Sequence, residues 1–389
     1  MTDIFILSGA RTAIGTFGGG LKDVPPAQLG TVAAKAALDR AGVAPEEVGQ
    51  VAYGHVINTE PRDMYLSRIA AMDAGIPETV PSMNVNRLCG SGLQAVISMV
   101  QALEMGDAGI AVAGGAESMS RSPYITPSAR WGQKMGDAKA QDMMLGALNC
   151  PFGTGHMGVT AENVAREHQI TREDQDAFAL ESQTRAGRAI ADGHFADQIA
   201  PVEIDSRKGP VVFDTDEHPK ATSAEALAGL RPVFQKDGTV TAGNASGIND
   251  GAAAVVLARE DALNGHTPKA RVIGYAHAGV RPDVMGIGPI PAVQKLMERT
   301  GLKAADFDVI ESNEAFASQA LAVSRALDFD PEKVNPNGGA IALGHPVGAT
   351  GAIITVKALY ELERIGGSKA LMTMCIGGGQ GIAVAIERV

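Results

Sequence analysis

The chain has 389 residues, too many for one simple hydrophobic core, and a prior of roughly 150 residues per domain implies two or three units. Hydrophobic residues at 45% and charged residues at 20% are ordinary for a soluble globular protein. A net charge of −11, from 33 basic and 44 acidic residues, argues against general nucleic-acid or anionic-membrane binding; a local cluster could still hold an anionic small molecule.

The opening MTDIFILSGARTA carries Asp3 where a signal peptide needs basic residues, and no Arg/Ser-rich transit segment precedes the first strand. Residues 4–7 read as that strand, followed by a Gly-rich loop to Gly20, a helix over 27–41 and a strand over 51–55. Residues 81–88 lead into a helix over about 90–105, whose Leu93, Val96, Ile97 and Val100 share one face, and 109–114 form a buried strand. This alternation predicts an α/β sheet with helices on its faces.

The texture changes after Ser118. Residues 119–247 hold a loose Met cluster (Met135, Met143, Met144, Met157), several prolines and the single Trp131, and read as an insertion. Two helices stand out there, over 158–167 and 172–192, the second opened by a capping-box-like Thr171…Asp174. The charged, Pro-flanked stretch 205–222 reads as irregular surface. Alternating texture resumes at 252–258 and continues to the end.

The two ends echo each other. Asn84-Val85-Asn86 and, later, Val334-Asn335-Pro336-Asn337 each enter a Gly-rich turn and a helix. Each helix is followed by a strand with a Gly-rich tip, at 112–115 and 375–379, which predicts two similar halves. The expected units are 1–118 completed by 248–269, an inserted loop domain over 119–247, and 270–389.

Three cysteines (Cys89, Cys150, Cys375) are too few, and odd in number, for a disulfide framework. With no run approaching the roughly 18 apolar residues of a membrane span, the expectation is a cytoplasmic enzyme. Four segments could carry chemistry. In Asn86-Arg87-Leu88-Cys89-Gly90-Ser91-Gly92, a thiol at a strand-to-helix turn meets free N–H groups and the positive helix end, which favour the thiolate. A lone cysteine is more often a small buried hydrophobe, but the flanking glycines admit a substrate. The run 90–95 also fits a dinucleotide fingerprint by letter, without an acidic ribose partner to support it. In Gly344-His345-Pro346-Val347-Gly348, a histidine in a loop can act as base or hydrogen-bond donor, although most histidines are structural. Cys375-Ile376-Gly377-Gly378-Gly379 sits at a strand's C-terminal end, where α/β sheets place ligands, and its glycines expose N–H groups. Asn313-Glu314-Ala315-Phe316 follows the strand at 308–311; an amide there can hold a water or a carbonyl, though a helix N-cap is the blander reading.

NRLCGSG, NEAFA, GHPVGATG and CIGGGQG, in this order and at these spacings, resemble the thiolases, nearest to the bacterial biosynthetic β-ketothiolases of polyhydroxyalkanoate synthesis. The match covers essentially the whole chain. The resemblance implies a thiolase-like fold in which two α/β halves form an αβαβα layered core with an inserted loop domain. It implies an acetyl-CoA C-acetyltransferase that joins two acetyl-CoA into acetoacetyl-CoA, reversibly, through an acyl-Cys89 intermediate. His345 would activate Cys89, and Cys375 would move the proton on the reacting carbon. His345 and a water on Asn313 would form one oxyanion hole, and the backbone N–H groups of Cys89 and Gly377 the other.

The same resemblance assigns coenzyme A contacts to Leu148, His156, Met157, Ala242, Ser246 and Phe316. Lys220 stands where an Arg is usual near the adenine, and Lys lacks Arg's planar stacking. Met157 and Met285 would make the acyl pocket small. No metal and no permanently bound cofactor is implied, and tetramers formed through the insertion are. Four other readings compete with this one. A ketoacyl synthase would lack the second cysteine and carry a histidine in place of NEAF. A degradative 3-ketoacyl-CoA thiolase shares all four motifs, but His156-Met157-Gly158 and the absent targeting segment favour the short-chain biosynthetic type. A non-catalytic acyl-CoA-binding protein would be expected to lack Cys89, His345 or Cys375. A thiol-redox protein would need a C-x-x-C.

Overall fold

A computed structural model describes residues 2–207 and 209–389. Met1, in the first expected unit, and Lys208, in the 205–222 stretch, lie outside the described residues. Nine strands share one sheet: β1 (Ile4–Arg11), β2 (Val48–Gly54), β3 (Ser82–Val85), β4 (Ile110–Ser118), β5 (Asn249–Arg259), β6 (Ala270–Gly279), β7 (Val309–Ser312), β8 (Lys369–Ile376) and β9 (Gln380–Arg388). Their spatial order is β7-β8-β9-β6-β1-β5-β4-β2-β3, and the two-residue Gly15–Thr16 pairs onto β5.

That order reads the same outward from the β1–β6 seam. β1–β5 and β6–β9 are antiparallel, as are β5–β4 and β9–β8, while β4–β2 and β8–β7 are parallel. The echo seen in the sequence is therefore a repeated half. The halves pair at the seam through Phe5↔Arg271 and Ile6↔Ala270.

Seven helices matter for the site: α1 (Pro26–Ala41), α2 (Ser91–Met105), α3 (Met157–Glu167), α4 (Arg172–Ala191), α5 (Pro289–Thr300), α6 (Ala317–Ala326) and α7 (Thr350–Ile365). Side chains alternate across each strand, so both sheet faces can be apolar. On β5, Ala253, Val255 and Leu257 join the core around α2 and α7, whereas Ala254, Val256 and Ala258 join the core under α1. On β8, Met372, Met374 and Ile376 face the same central core, and Leu371 faces the core under α5. The central helix pair is thus sandwiched between the two halves of the sheet, with α1 and α5 outside. This is the expected αβαβα stack.

Several elements run longer than the sequence pattern predicts. β1 continues past Leu7 to Arg11 because the polar side chains of Ser8 and Arg11 are themselves buried. The stretch 205–222 is not irregular surface throughout, and that expectation is corrected. Val211–Phe213 pairs with Val202–Ile204, and Asp216 is buried in a two-point ion pair with Arg11, at 2.7 and 2.8 Å. Arg11 also reaches Gln198 at 2.7 Å, and its guanidinium lies over Phe195. A fully paired guanidinium can be buried, so a run of charges need not be a solvated face. Elsewhere in the insertion, α4 has the predicted capping box between Thr171 and Asp174. No helix among the described residues is long and apolar enough to cross a membrane.

Candidate active site

Cys89 lies in a tight turn between β3 and α2. The Ser91 hydroxyl ties the turn together, accepting from Arg87 N at 2.9 Å and donating to Leu88 O at 2.6 Å. Asn86 Oδ1 accepts from Leu88 N at 3.0 Å, and Leu88 is held at φ 47°, a left-handed conformation unusual for a branched residue. A side chain at Gly90 would run into Ile376. Cys89 is half-buried at the head of α2. Burial raises its thiol pKa, opposed by the N–H of Gly377 and its own N–H, while the Glu117 carboxylate adds to the rise. The net direction is upward, so the helix end and the N–H groups offset burial only in part, in keeping with the expected need for His345. A neutral thiol here needs a base.

His345 follows Gly344, whose φ of 104° turns the chain. Its backbone N–H donates to Asn249 Oδ1 at 2.9 Å. Its Nδ1 lies 2.7 Å from the Thr350 hydroxyl, which itself donates to Pro346 O at 2.9 Å. A hydroxyl that donates there accepts from Nδ1–H, so this pattern assigns the free lone pair to Nε2. Burial pushes the imidazole down to about 4, so it is neutral near pH 7 and able to take a proton.

Nε2 lies 3.5 Å from Asn313 Nδ2. Asn313 is not a helix N-cap; Phe316 holds that place before α6. Instead Asn313 extends β7, its N–H bonded to Thr373 O at 2.9 Å on β8. Two residues on, next to the last residue of β8, stands Cys375, buried and in the same apolar cluster as Met157, Met285 and Phe316. Burial raises the Cys375 thiol pKa strongly, and Cys89 adds to the rise electrostatically. The two sulfur-bearing ends therefore sense each other across the halves. A Cβ on Gly377 would sit 3.0 Å from Met157 Cε and 3.3 Å from Leu88; the absent side chain leaves that N–H open toward Cys89.

What lets the loops converge is the crossing of α2 and α7. A Cβ on Gly351 would fall 2.1 Å from Leu93 N, and one on Gly92 2.7 Å from Ala352 N. Glycine permits this backbone-to-backbone approach. The heads of both helices, with Cys89 and His345 just before them, are drawn to one point.

The expected coenzyme A residues divide. His156 caps α3 through Nδ1, which accepts from Gly158 N at 3.1 Å. Its ring stacks on Phe234, with centroids 4.7 Å apart, and Phe234 meets Phe316 edge-on. Ser246 N donates to Ala315 O at 3.0 Å. Met157 and Phe316 therefore pack in the cluster that holds Cys375, with His156 joined to it through Phe234 and Ser246 through Ala315. Leu148 adjoins this group through the Asn149↔His156 pair. Ala242 and Lys220 are exposed; the Lys220 backbone N–H is fixed by Gln183 Oε1 at 2.9 Å.

Sequence reasoning missed three supports. Glu117, at the end of β4, accepts from Val56 N at 3.0 Å, Ile57 N at 3.1 Å and Gly348 N at 2.9 Å, binding the His345 loop to the first half. Asn249 and Thr350 hold His345 from two sides. The available signal was a buried polar residue at each strand end or helix start, where an apolar one would pack.

Two family models match the chain, described as the thiolase N-terminal domain over residues 4–261 and the thiolase C-terminal domain over 266–388. The β-ketothiolase BktB of Cupriavidus necator is 59% identical over 391 aligned residues, covering 100% of this chain and 99% of the relative. An acetyl-CoA acetyltransferase of Thiocystis violacea is 51% identical, covering 99% of both chains. The crystal structure of human mitochondrial 3-ketoacyl-CoA thiolase in complex with CoA superposes with a TM-score of 0.96 at 45% identity, covering 100% of this chain and 98% of that one.

Proposed function

The chain belongs to the thiolase family and is an acyltransferase, and from this premise we propose that it is an acetyl-CoA C-acetyltransferase, a β-ketothiolase that condenses two acetyl-CoA into acetoacetyl-CoA and CoA. The observation that carries this reading is the convergence of Cys89, Cys375, His345 and Asn313 at facing element ends, with the Gly377 N–H acting on the Cys89 thiol.

In the first step Cys89 Sγ attacks the acetyl-CoA carbonyl while its proton passes to His345 Nε2. The carbonyl oxygen gathers charge against the N–H groups of Cys89 and Gly377. The bond to the CoA sulfur breaks, and the leaving thiolate takes the proton of Cys375. That leaves Cys375 as a thiolate whose raised pKa suits it to a weakly acidic C–H. In the second step it removes a proton from the methyl of a second acetyl-CoA, whose enolate oxygen is held by His345 Nε2–H and by a water on Asn313. The carbanion attacks the acetyl-Cys89 carbonyl, a C–C bond forms, and Cys89 leaves and recovers its proton from His345. Atoms and protons balance over the cycle.

Coenzyme A serves as substrate, with no permanently bound cofactor. Its pantetheine would follow Leu148, His156, Met157, Ser246 and Phe316, with Ala242 and Lys220 nearer the nucleotide. Met157 and Met285 would close a small acyl pocket. The three-part division at 1–118 with 248–269, 119–247 and 270–389 belongs to this reading. So does a cytoplasmic homotetramer built through the insertion, supported by the exposure of Tyr124, Trp131 and Met135 there, the last two at 88% and 90%. A degradative 3-ketoacyl-CoA thiolase is the second reading, favoured by the likeness to the human mitochondrial enzyme.

The test is acetoacetyl-CoA cleavage with added CoA, compared across 3-ketoacyl chain lengths. Cys89→Ser should lose turnover, and undiminished activity there sinks the nucleophile assignment. Cys375→Ser should still form acetyl-enzyme but fail to condense; loss of acetylation would overturn its role. A maximum at long chains would favour the degradative reading.

A further inference from the structure

Beside Asn313 lies a cavity of about 20 Å³ whose lining residues are all buried, Glu311, Asn313, Thr350 and Lys357 among them. Side chains two apart on a strand share a face. Glu311 on β7 and Asn313 just beyond it therefore look the same way, toward α7, which carries Lys357 and Thr350. The Lys357 ammonium donates to Glu311 Oε2 at 2.7 Å and to Gly338 O at 2.7 Å, using two of its three N–H groups. Glu311 Oε1 and Asn313 Oδ1 are buried acceptors with no protein donor. A cavity of this size holds one water, and a buried water needs two to four polar partners.

We propose that the cavity is a built hydration site in which one water donates to Glu311 Oε1 and to Asn313 Oδ1 and accepts the third N–H of Lys357. Through it, the buried ion pair fixes the Asn313 carboxamide with its oxygen inward and its NH2 toward His345. Glu311 and Lys357 are then positioning residues, and the inference rests on the part assigned to Asn313 in the second reaction step. Chained hydrogen bonds polarise one another, so an amide whose oxygen accepts from such a water is a stronger donor at its nitrogen. Thr350 shares the cavity wall and holds His345 Nδ1. Both groups expected to face the enolate oxygen thus stand on one buried platform. Carboxylate and ammonium are retained in the core here although an apolar pair would pack there more cheaply.

Glu311→Gln alone would strand Lys357 and endanger folding. The informative variant is Glu311→Leu with Lys357→Met, which removes both charges together. Its acetylation half-reaction, read as acetyl-Cys89 formed from acetyl-CoA, should stay within about threefold, with the melting temperature near wild type. Condensation should fall roughly tenfold to a hundredfold, the scale of a misplaced reacting group, in kcat and with little change in KM. Glu311→Gln with Lys357→Met restores an acceptor for the water and should recover most of that loss. A folded Leu/Met variant that condenses at the wild-type rate overturns the proposal. If that variant does not fold, a high-resolution crystal structure of the wild-type enzyme decides: a water within hydrogen-bond reach of Glu311 Oε1 and Asn313 Oδ1 supports it, and a dry cavity overturns it. Asn313→Ala separates the two levels. If that variant condenses normally, the reading of Asn313 itself is wrong; if it is impaired while the Leu/Met variant is not, only the hydration site is.

Discussion

Adding one methyl group at Gly351 tests whether the helix crossing sets the reacting geometry. The new Cβ would lie 2.1 Å from Leu93 N, more than an ångström inside ordinary contact, and 2.8 Å from Leu93 Cβ. The first obstacle is backbone, so no side chain can swing aside; the heads of α2 and α7 must separate. Overpacking of this kind costs about 1–3 kcal/mol, and a displacement of about 1 Å between reacting groups costs on the order of a hundredfold in rate. Gly351→Ala should therefore show modestly lower thermal stability and a far larger loss in acetoacetyl-CoA thiolysis. Gly187→Ala is the matched control. Gly187 lies on the exposed side of α4 with open space around its Cβ position, so alanine there should stabilise by about 0.5–1 kcal/mol and leave turnover unchanged. If Gly351→Ala keeps both its melting temperature and wild-type thiolysis, the claim that this contact brings Cys89 and His345 together is refuted.

Three further outcomes are expected. His345 is depressed from 6.5 to about 4 by burial, so the unfolded chain binds its proton first, and the stability tied to the neutral ring is full above 6.5 and lost as pH falls toward 4. Urea unfolding of wild type should lose about 3 kcal/mol more between pH 7 and pH 4 than His345→Asn does; parallel profiles would contradict the burial argument. Met157→Ala should open the acyl pocket and raise kcat/KM for 3-ketohexanoyl-CoA relative to acetoacetyl-CoA by about tenfold, at the low end for apolar pocket contacts, and an unchanged ratio would remove Met157 from the pocket. Arg11→Met alone should cost about 3–5 kcal/mol by leaving Asp216 buried and unpaired, whereas Arg11→Met with Asp216→Leu should regain most of it; denaturant titration of both checks the anchoring of the 205–222 stretch.

The layered core was legible because strand alternation and the 3.6-residue helix period survive in apolar residues such as Leu93, Val96 and Ile97. The repeat was legible because each half reuses the same Gly-rich entry to its central helix. The four side chains proposed to react could be named from motifs, yet nothing in their spacing brings residue 89 beside residue 375. The approach of residue 89 to residue 375 rests on Gly90 against Ile376, and its approach to residue 345 on Gly92 and Gly351, whose role depends on a partner helix more than 250 positions away. Charge runs misled for a related reason. Asp216 looks solvated until Arg11, some 200 residues earlier, takes both its oxygens. Thr350, Asn249 and Glu117 offered only their polar character at element ends as a signal, because their significance lies in which distant groups they meet.

The seam between β1 and β6 is only two residue pairs long, so strand pairing does little to fasten one half to the other. Cys89 belongs to the first half, while His345, Asn313 and Cys375 belong to the second. On the proposed mechanism, neither half owns a complete reaction. The enzyme can thus be regarded as an internal heterodimer whose single working centre lies at its own subunit boundary, and the separation of the two sulfurs reports how that boundary is docked. A change far from the pocket, on the faces where α2 and α7 pack, would then reach catalysis through that separation.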